Sequence, residues 1–219
     1  MRTLAILPIK SFADAKQRLE TELTPGPRRA LAEAMFSDVL TALRRATAVD
    51  DVLVVTMDHG AQQIAGGYGA TVLDDAEQGH SEAGALGIEH AIEAGYERAL
   101  LVPGDCPALD PAQLDALIGH PFETPSALIV ADRHGTGTNG LLLTPPNAIA
   151  LSFGLGSRDR HLAIARQAGA SGEVVDVPSL ALYVDTPEDL AALRAALAVT
   201  HGRAAHTRGM LNQLMRSRA

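Results

Sequence analysis

Short apolar runs alternate with helical patterns along the whole chain, and this alternation most constrains what it can fold into. Strand-like segments are Thr3–Ile9, Asp51–Met57, Ala70–Leu73, Arg98–Val102, Ala127–Ala131, Gly140–Thr144, Glu173–Val177 and Leu180–Val184. Helical patterns fill Pro27–Ala46, Gly60–Gly66, Ser81–Ala94, Pro111–Ile118, Arg158–Ala168 and Thr186–Leu197. In the first of these, Leu31, Met35, Val39 and Leu43 repeat on one face. The pattern predicts an α/β fold with a mostly parallel sheet covered by helices on both faces. No repeat, low-complexity tract or linker splits the chain, so residues 1–199 read as one domain. Residues 200–219 read as a basic C-terminal tail, with four arginines and no acid after Thr200. The spacing of Met210, Leu211, Leu214 and Met215 fits a short amphipathic helix on the body or on a partner, and a solvated tail fits equally.

Composition removes several classes. With 219 residues the chain can build one full core, and 47% apolar with 3% aromatic content points to Ala, Leu and Val packing. A single cysteine, Cys106, rules out an internal disulfide and suits a reducing, cytoplasmic setting. No segment approaches the roughly 20 apolar residues of a membrane span, so no membrane partner is expected. A net charge of −8 argues against nucleic acid as a partner. An acidic protein that handles phosphates needs local cations or a metal.

Two aspartates stand out. The run from Ala99 to Val102 ends in Pro103-Gly104, followed by Asp105. A carboxylate just past the carboxyl end of a strand lies where open α/β sheets bind ligands, although a turn aspartate bonding its own backbone explains it as well. Asp185 stands in the same kind of place, after Ala181–Val184 and before a helix start at Thr186-Pro187-Glu188-Asp189. Thr186 and Asp189 make a capping-box pattern, so Glu188 and Asp189 are explained by the helix end, whereas the box does not need Asp185. Two such carboxylates converging on one sheet edge suit Mg²⁺, which takes one or two carboxylates plus substrate phosphates.

The loop after the first strand carries neither a Gly-rich dinucleotide turn nor a phosphate-binding Gly-x-x-x-x-Gly-Lys motif. It places Lys10, Lys16 and Arg18 there instead, three cations able to neutralise a triphosphate. Residues 135–140, GTGTNG, match a dinucleotide fingerprint literally, but a strand rather than a helix follows, so the match fails its context test. The same residues still offer amides and hydroxyls to an anion. Gly154, Gly156 and Ser157 immediately precede a helix, whose N-terminus favours anions, with a plain N-cap as the competing reading. His161 reads as a structural hydrogen-bonding histidine.

Taken in order, PIK followed by AKQRL, GDCPAL, ADRHGTGTNGLL, FGLGSRDRH and VDTPEDL resemble the guanylyltransferases of deazaflavin coenzyme (coenzyme F-420) biosynthesis, from Lys10 to Leu190. The resemblance implies a glycosyltransferase-A-like, Rossmann-like nucleotidyltransferase domain over 1–199, with a mixed seven-stranded sheet that has one antiparallel strand. It implies Asp105 and Asp185 as Mg²⁺ ligands, and Thr138, Gly154 and Ser157 as binders of a phosphorylated three-carbon acid. Pro8, Lys10 and Gly104 would bind the nucleotide, and Lys10, Lys16 and Arg18 would act on the GTP phosphates. The substrates would be GTP and 2-phospho-L-lactate, phosphoenolpyruvate or 3-phosphoglycerate, with pyrophosphate released. The labile product suggests hand-over to the next pathway enzyme, and a homodimer is left open. Where relatives often carry an Asn near the start of the third helix, Ser81-Glu82-Ala83 stands here, so guanine preference rests on the likeness alone. The alternatives are a nucleotidyltransferase for molybdopterin or a sugar phosphate, and a non-catalytic nucleotide-binding domain.

Overall fold

The structure is a computed structural model and describes residues 1–75 and 79–216. Its strands are β1 (Thr3–Pro8), β2 (Asp51–Val55), β3 (Thr71–Leu73), β4 (Arg98–Leu101), β5 (Ser126–Ala131), β6 (Thr138–Thr144) and β7 (Ser171–Val174). They form a seven-stranded sheet in the order β3-β2-β1-β4-β6-β5-β7. β6 pairs antiparallel with both β4 and β5, and the other pairings are parallel. The helices are α1 (Pro25–Arg45), α2 (His59–Gly67), α3 (His80–Glu93), α4 (Pro111–Ile118), α5 (Ser157–Gln167), α6 (Pro178–Ala181), α7 (Pro187–Val199) and α8 (Ala205–Arg216). The expected mixed, mostly parallel sheet with helical layers is what forms.

Two apolar layers cover the sheet because its strands alternate their side chains. Ala5 and Leu7 of β1 face one cluster with Phe36, Val39 and Leu43 of α1. Leu4 and Ile6 face the other, with Ile88 and Ala91 of α3. β1 is buried on both sides, which explains its unbroken run of apolar residues.

One sequence expectation changes, and one that stood open between two readings is decided. Leu180–Val184 is no strand: Pro178 opens the single turn of α6, and an irregular segment follows. Leu180 and Val184 are fully buried, so the apolar run reports core burial rather than a ladder. Side chains anchor the segment instead, because Asn139 Nδ2 donates to the carbonyls of Leu180 and Ala181, both at 3.0 Å. Residues 205–216 form α8, which packs Leu211 and Leu214 into a cluster with Leu31 and Met35. Buried Asp38 of α1 accepts the His206 amide at 3.1 Å and the Thr207 amide at 2.8 Å, satisfying donors at the start of α8. The described part of the expected tail therefore belongs to the packed body, and residues 217–219 lie outside the described residues.

Candidate active site

Topology assembles the site. β1 and β4 are neighbours at the point where strand order reverses, the place where such sheets leave a ligand crevice beyond their carboxyl ends. β6 runs the other way, so its first residue, Thr138, starts at the same edge. Lys10, Asp105 and Thr138 thus meet at one rim although they are far apart in sequence.

Gly104 explains how closely the first two loops approach. A Cβ there would lie 2.4 Å from Ile9 Cδ1, so glycine lets the Asp105 turn pack against the end of β1 without displacing the Ile9 side chain. Pro8, with no amide hydrogen, closes β1 in register with Val55, and the ladder continues through the Ile9 amide to the Val55 carbonyl at 2.9 Å.

Lys16 Nζ donates to Asp105 Oδ2, and only 8% of the lysine side chain is exposed. The lysine backbone is left-handed at φ 58° and ψ 36°, a strained setting for a residue with a Cβ. Asp105 Oδ1 is buried with no hydrogen-bond partner. Arg18 Nη1 donates to Asp185 Oδ2 at 2.9 Å. The two aspartates are drawn together by the Val184 amide, which donates to the Asp105 carbonyl at 3.1 Å. Tyr183 flanks the Lys16–Asp105 pair, its ring centroid 5.6 Å from Lys16 Nζ. Burial first, and then the Asp185 charge, push the Tyr183 pKa far up, so it remains a neutral phenol.

Lys16 and Arg18, expected on the nucleotide phosphates, are thus each held on a carboxylate. Lys10 is exposed, with no ion pair to another described residue. Among the described residues no three His, Cys, Asp or Glu cluster as a metal cage. The donor set is two carboxylates, one of them with an orphaned buried oxygen.

The second half of the site surrounds α5. Gly154 and Gly156 hold φ of 105° and 72°, left-handed values that shape the loop entering the helix. Arg160 braces that loop, donating to Ser152 Oγ and to the Ser152 and Phe153 carbonyls, each at 3.0 Å. The helix end is less open than expected, because the Ser157 amide is spent on Gly154 O and the Arg158 amide on Thr136 O. Ser157 Oγ is what remains, buried and unpartnered. From the start of α3, Ser81 Oγ accepts the Phe153 amide at 3.2 Å, so this residue supports the same loop.

His161 is fully buried one turn beyond Ser157 on α5. The Ser152 amide donates to its Nε2, and its Nδ1 is 3.0 Å from Thr138 Oγ1. Burial first, and then the Arg160 charge, lower its pKa from 6.5 to about 4. A depressed histidine pKa means the unfolded chain takes up a proton that the folded one refuses. Stability contributed here is therefore present above about pH 6.5 and is lost as pH falls toward about 4. Between about pH 7 and about pH 4.5 this residue should account for roughly 2 kcal/mol of lost stability, read by urea unfolding. A variant without the imidazole should lack that slope.

Asp189, assigned only a capping role from sequence, does more. Its Oδ2 accepts the amides of Asp185 at 3.1 Å and Thr186 at 2.8 Å, and its Oδ1 accepts Arg133 Nε at 2.5 Å. Burial alone would raise its pKa, but these donors hold it below the ordinary carboxylate value. It ties the Asp185 segment to the β5–β6 loop that leads to Thr138. Asn139 and Asp189 are the positioning residues that motif reading missed. A polar residue at the start of an apolar strand was the available signal for the first, and the second was hidden by its capping pattern.

Comparison with known proteins bears on what this rim belongs to. Residues 3–217 match the family model described as "Guanylyl transferase CofC like". A phosphoenolpyruvate guanylyltransferase of Conexibacter woesei is 57% identical over 219 residues, covering 99% of this chain and 98% of that protein. A 2-phospho-L-lactate guanylyltransferase of Methanothermobacter thermautotrophicus is 34% identical, covering 98% and 92%. A 3-phospho-D-glycerate guanylyltransferase of Colwellia psychrerythraea is 34% identical, covering 87% and 90%. Among solved structures, 4-diphosphocytidyl-2C-methyl-D-erythritol synthase superposes with a TM-score of 0.65 at 17% identity, covering 90% of this chain and 98% of that one, which supports the fold. With near-complete coverage on both sides and the sheet order seen here, the chain belongs to the CofC-like guanylyltransferase family.

Proposed function

We propose that this protein joins GTP to a phosphorylated three-carbon acid and releases pyrophosphate, in the manner its relatives' names describe. The observation that carries the reading is the pairing, at one sheet edge, of two cation-held aspartates with the hydroxyls of half-buried Thr138 and buried Ser157. The orphaned buried oxygen of Asp105 suits a hard cation, and Asp105 with Asp185 would hold Mg²⁺. When bound, the ion supplies neutralisation of the charge on the reacting phosphates.

The acid's phosphate oxygen attacks the α-phosphorus of GTP, a new P–O bond forms, and the bond to the β-phosphate oxygen breaks. A monoester with a second pKa of about 6 is already largely ionised, so no general base is needed. That agrees with a neutral, buried His161. The protein's task is positioning and charge. Lys10 is free to meet the departing pyrophosphate, while Lys16 and Arg18, each paired with an aspartate, hold positive charge in the same cleft. Thr138 and Ser157 offer hydroxyls to the acid.

The test is incubation with Mg²⁺, GTP and each of 2-phospho-L-lactate, phosphoenolpyruvate and 3-phosphoglycerate, scored by pyrophosphate release and product mass. Phosphoenolpyruvate is expected to give the highest kcat/KM, the 57%-identical relative being named for it. Folded protein that releases no pyrophosphate with any of the three acids would overturn the reading.

A further inference from the structure

His161 has a chemistry that a merely buried residue would not need. Both ring nitrogens are engaged, and the two partners are chemically unequal. A backbone amide can only donate, so the Ser152 N–H at 3.0 Å makes Nε2 the acceptor nitrogen. A neutral imidazole has one N–H, which must then sit on Nδ1 and donate to Thr138 Oγ1. A hydroxyl that accepts from the ring keeps its own proton for another acceptor. Thr138 is at the start of β6 and half-buried, so that proton is directed at whatever occupies the rim. The ring is fixed in place by an edge-on contact with Phe153, centroids 5.2 Å apart at 76°.

Ser157 and His161 are four residues apart on α5 and therefore share a face. Ser157 Oγ is buried without a partner on that face, an independent sign that a ligand oxygen is meant to complete it.

We propose that His161 is a positioning residue that fixes the Thr138 hydroxyl as a hydrogen-bond donor to an anionic oxygen of the phosphorylated acid, with its other nitrogen anchoring the Ser152–Ser157 loop. This rests on the acid-binding reading above and adds the residue that sets the polarity of the cradle. Arg160 and Asp159 on the same helix, and Arg158 beside them, are the charged neighbours. Arg160 adds to the burial that keeps the ring neutral, and Arg158 and Asp159 pair with each other at 2.9 Å.

Two substitutions separate the ring's two ends. In His161→Asn the amide nitrogen falls near the Nδ1 position and can still donate to Thr138. In His161→Gln the side-chain oxygen reaches the Nε2 position, keeping the Ser152 bond and losing the other. His161→Gln should raise KM for the acid about three- to tenfold with KM for GTP unchanged, and His161→Asn should restore most of that loss. In a Thr138→Val background His161→Gln should add nothing, because it acts through the removed hydroxyl. Equal effects on both substrates, or full additivity with Thr138→Val, would overturn the proposal.

A readout independent of turnover distinguishes failure of this proposal from failure of the proposed activity. Nitrogen-15 NMR of the wild-type imidazole should show protonation at Nδ1 alone across neutral pH. A ring protonated at Nε2, or one titrating at its ordinary value, would overturn it whatever the enzyme does.

Discussion

Asparagine at position 105 or at position 185 is expected to lower pyrophosphate release by about 10²–10³-fold, the usual cost of losing one charged element of transition-state stabilisation. The two variants should match in activity and differ in stability. Lys16, the partner of Asp105, is 8% exposed, so Asp105→Asn leaves a nearly buried ammonium facing a neutral amide. Arg18, the partner of Asp185, is 73% exposed, and water replaces the lost carboxylate. Asp105→Asn should therefore lower the unfolding free energy measurably, by about 1–3 kcal/mol, and Asp185→Asn by less than about 1 kcal/mol. The double variant should be far less than multiplicatively worse in rate, because both carboxylates would serve one cation. Activity that simply follows stability would make the aspartates structural. An Asp185→Asn enzyme within about tenfold of wild type would exclude Asp185 from the proposed metal site.

Much of this architecture was legible because it follows from short-range rules. β1 and β4 are continuous apolar runs ended by Pro or Gly, and parallel central strands must read that way. The capping box at Thr186 and Asp189 has both of its hydrogen bonds. Asp105 stood out as a carboxylate just past a buried strand, although a turn aspartate explained it as well, and its buried, unpartnered Oδ1 is something only the folded chain reveals. The segment 180–184 misled for a physical reason: burial selects apolar residues whether the backbone pairs in a ladder or is held by Asn139 and Cys106. The pairing of Lys16 and Arg18 with the aspartates was not legible, since charge order along a loop says nothing of which carboxylate folds against it. Nor was the direction of the Thr138 hydroxyl, which depends on a histidine contributed by a helix 23 positions further along.

Asp189→Ala should be the most damaging change outside the residues that would touch substrate. The carboxylate, 4% exposed, accepts two backbone amides, the Thr186 hydroxyl and Arg133 at once. Alanine removes an N-terminal cap, about 1 kcal/mol, and orphans buried donors that cost about 1–3 kcal/mol more. Arg133, 30% exposed, recovers part of its hydration, which places the total at roughly 3 kcal/mol. Asp189→Asn should cost less, since it retains an acceptor for the cap and loses only the charge toward Arg133. Below the ordinary aspartate pKa the wild type should lose this contribution as the depressed carboxyl finally protonates, whereas Asp189→Asn should not. Activity gives the sharper test. Asp189 holds the Asp185 amide on one side and the β5–β6 loop on the other, so its loss should shift both the proposed metal carboxylate and the proposed acid cradle. Asp189→Ala, assayed at a temperature where it is still folded, should therefore lose kcat and raise KM for the acid together. A variant destabilised by roughly 3 kcal/mol yet kinetically normal when folded would mean that Asp189 caps a helix and nothing more.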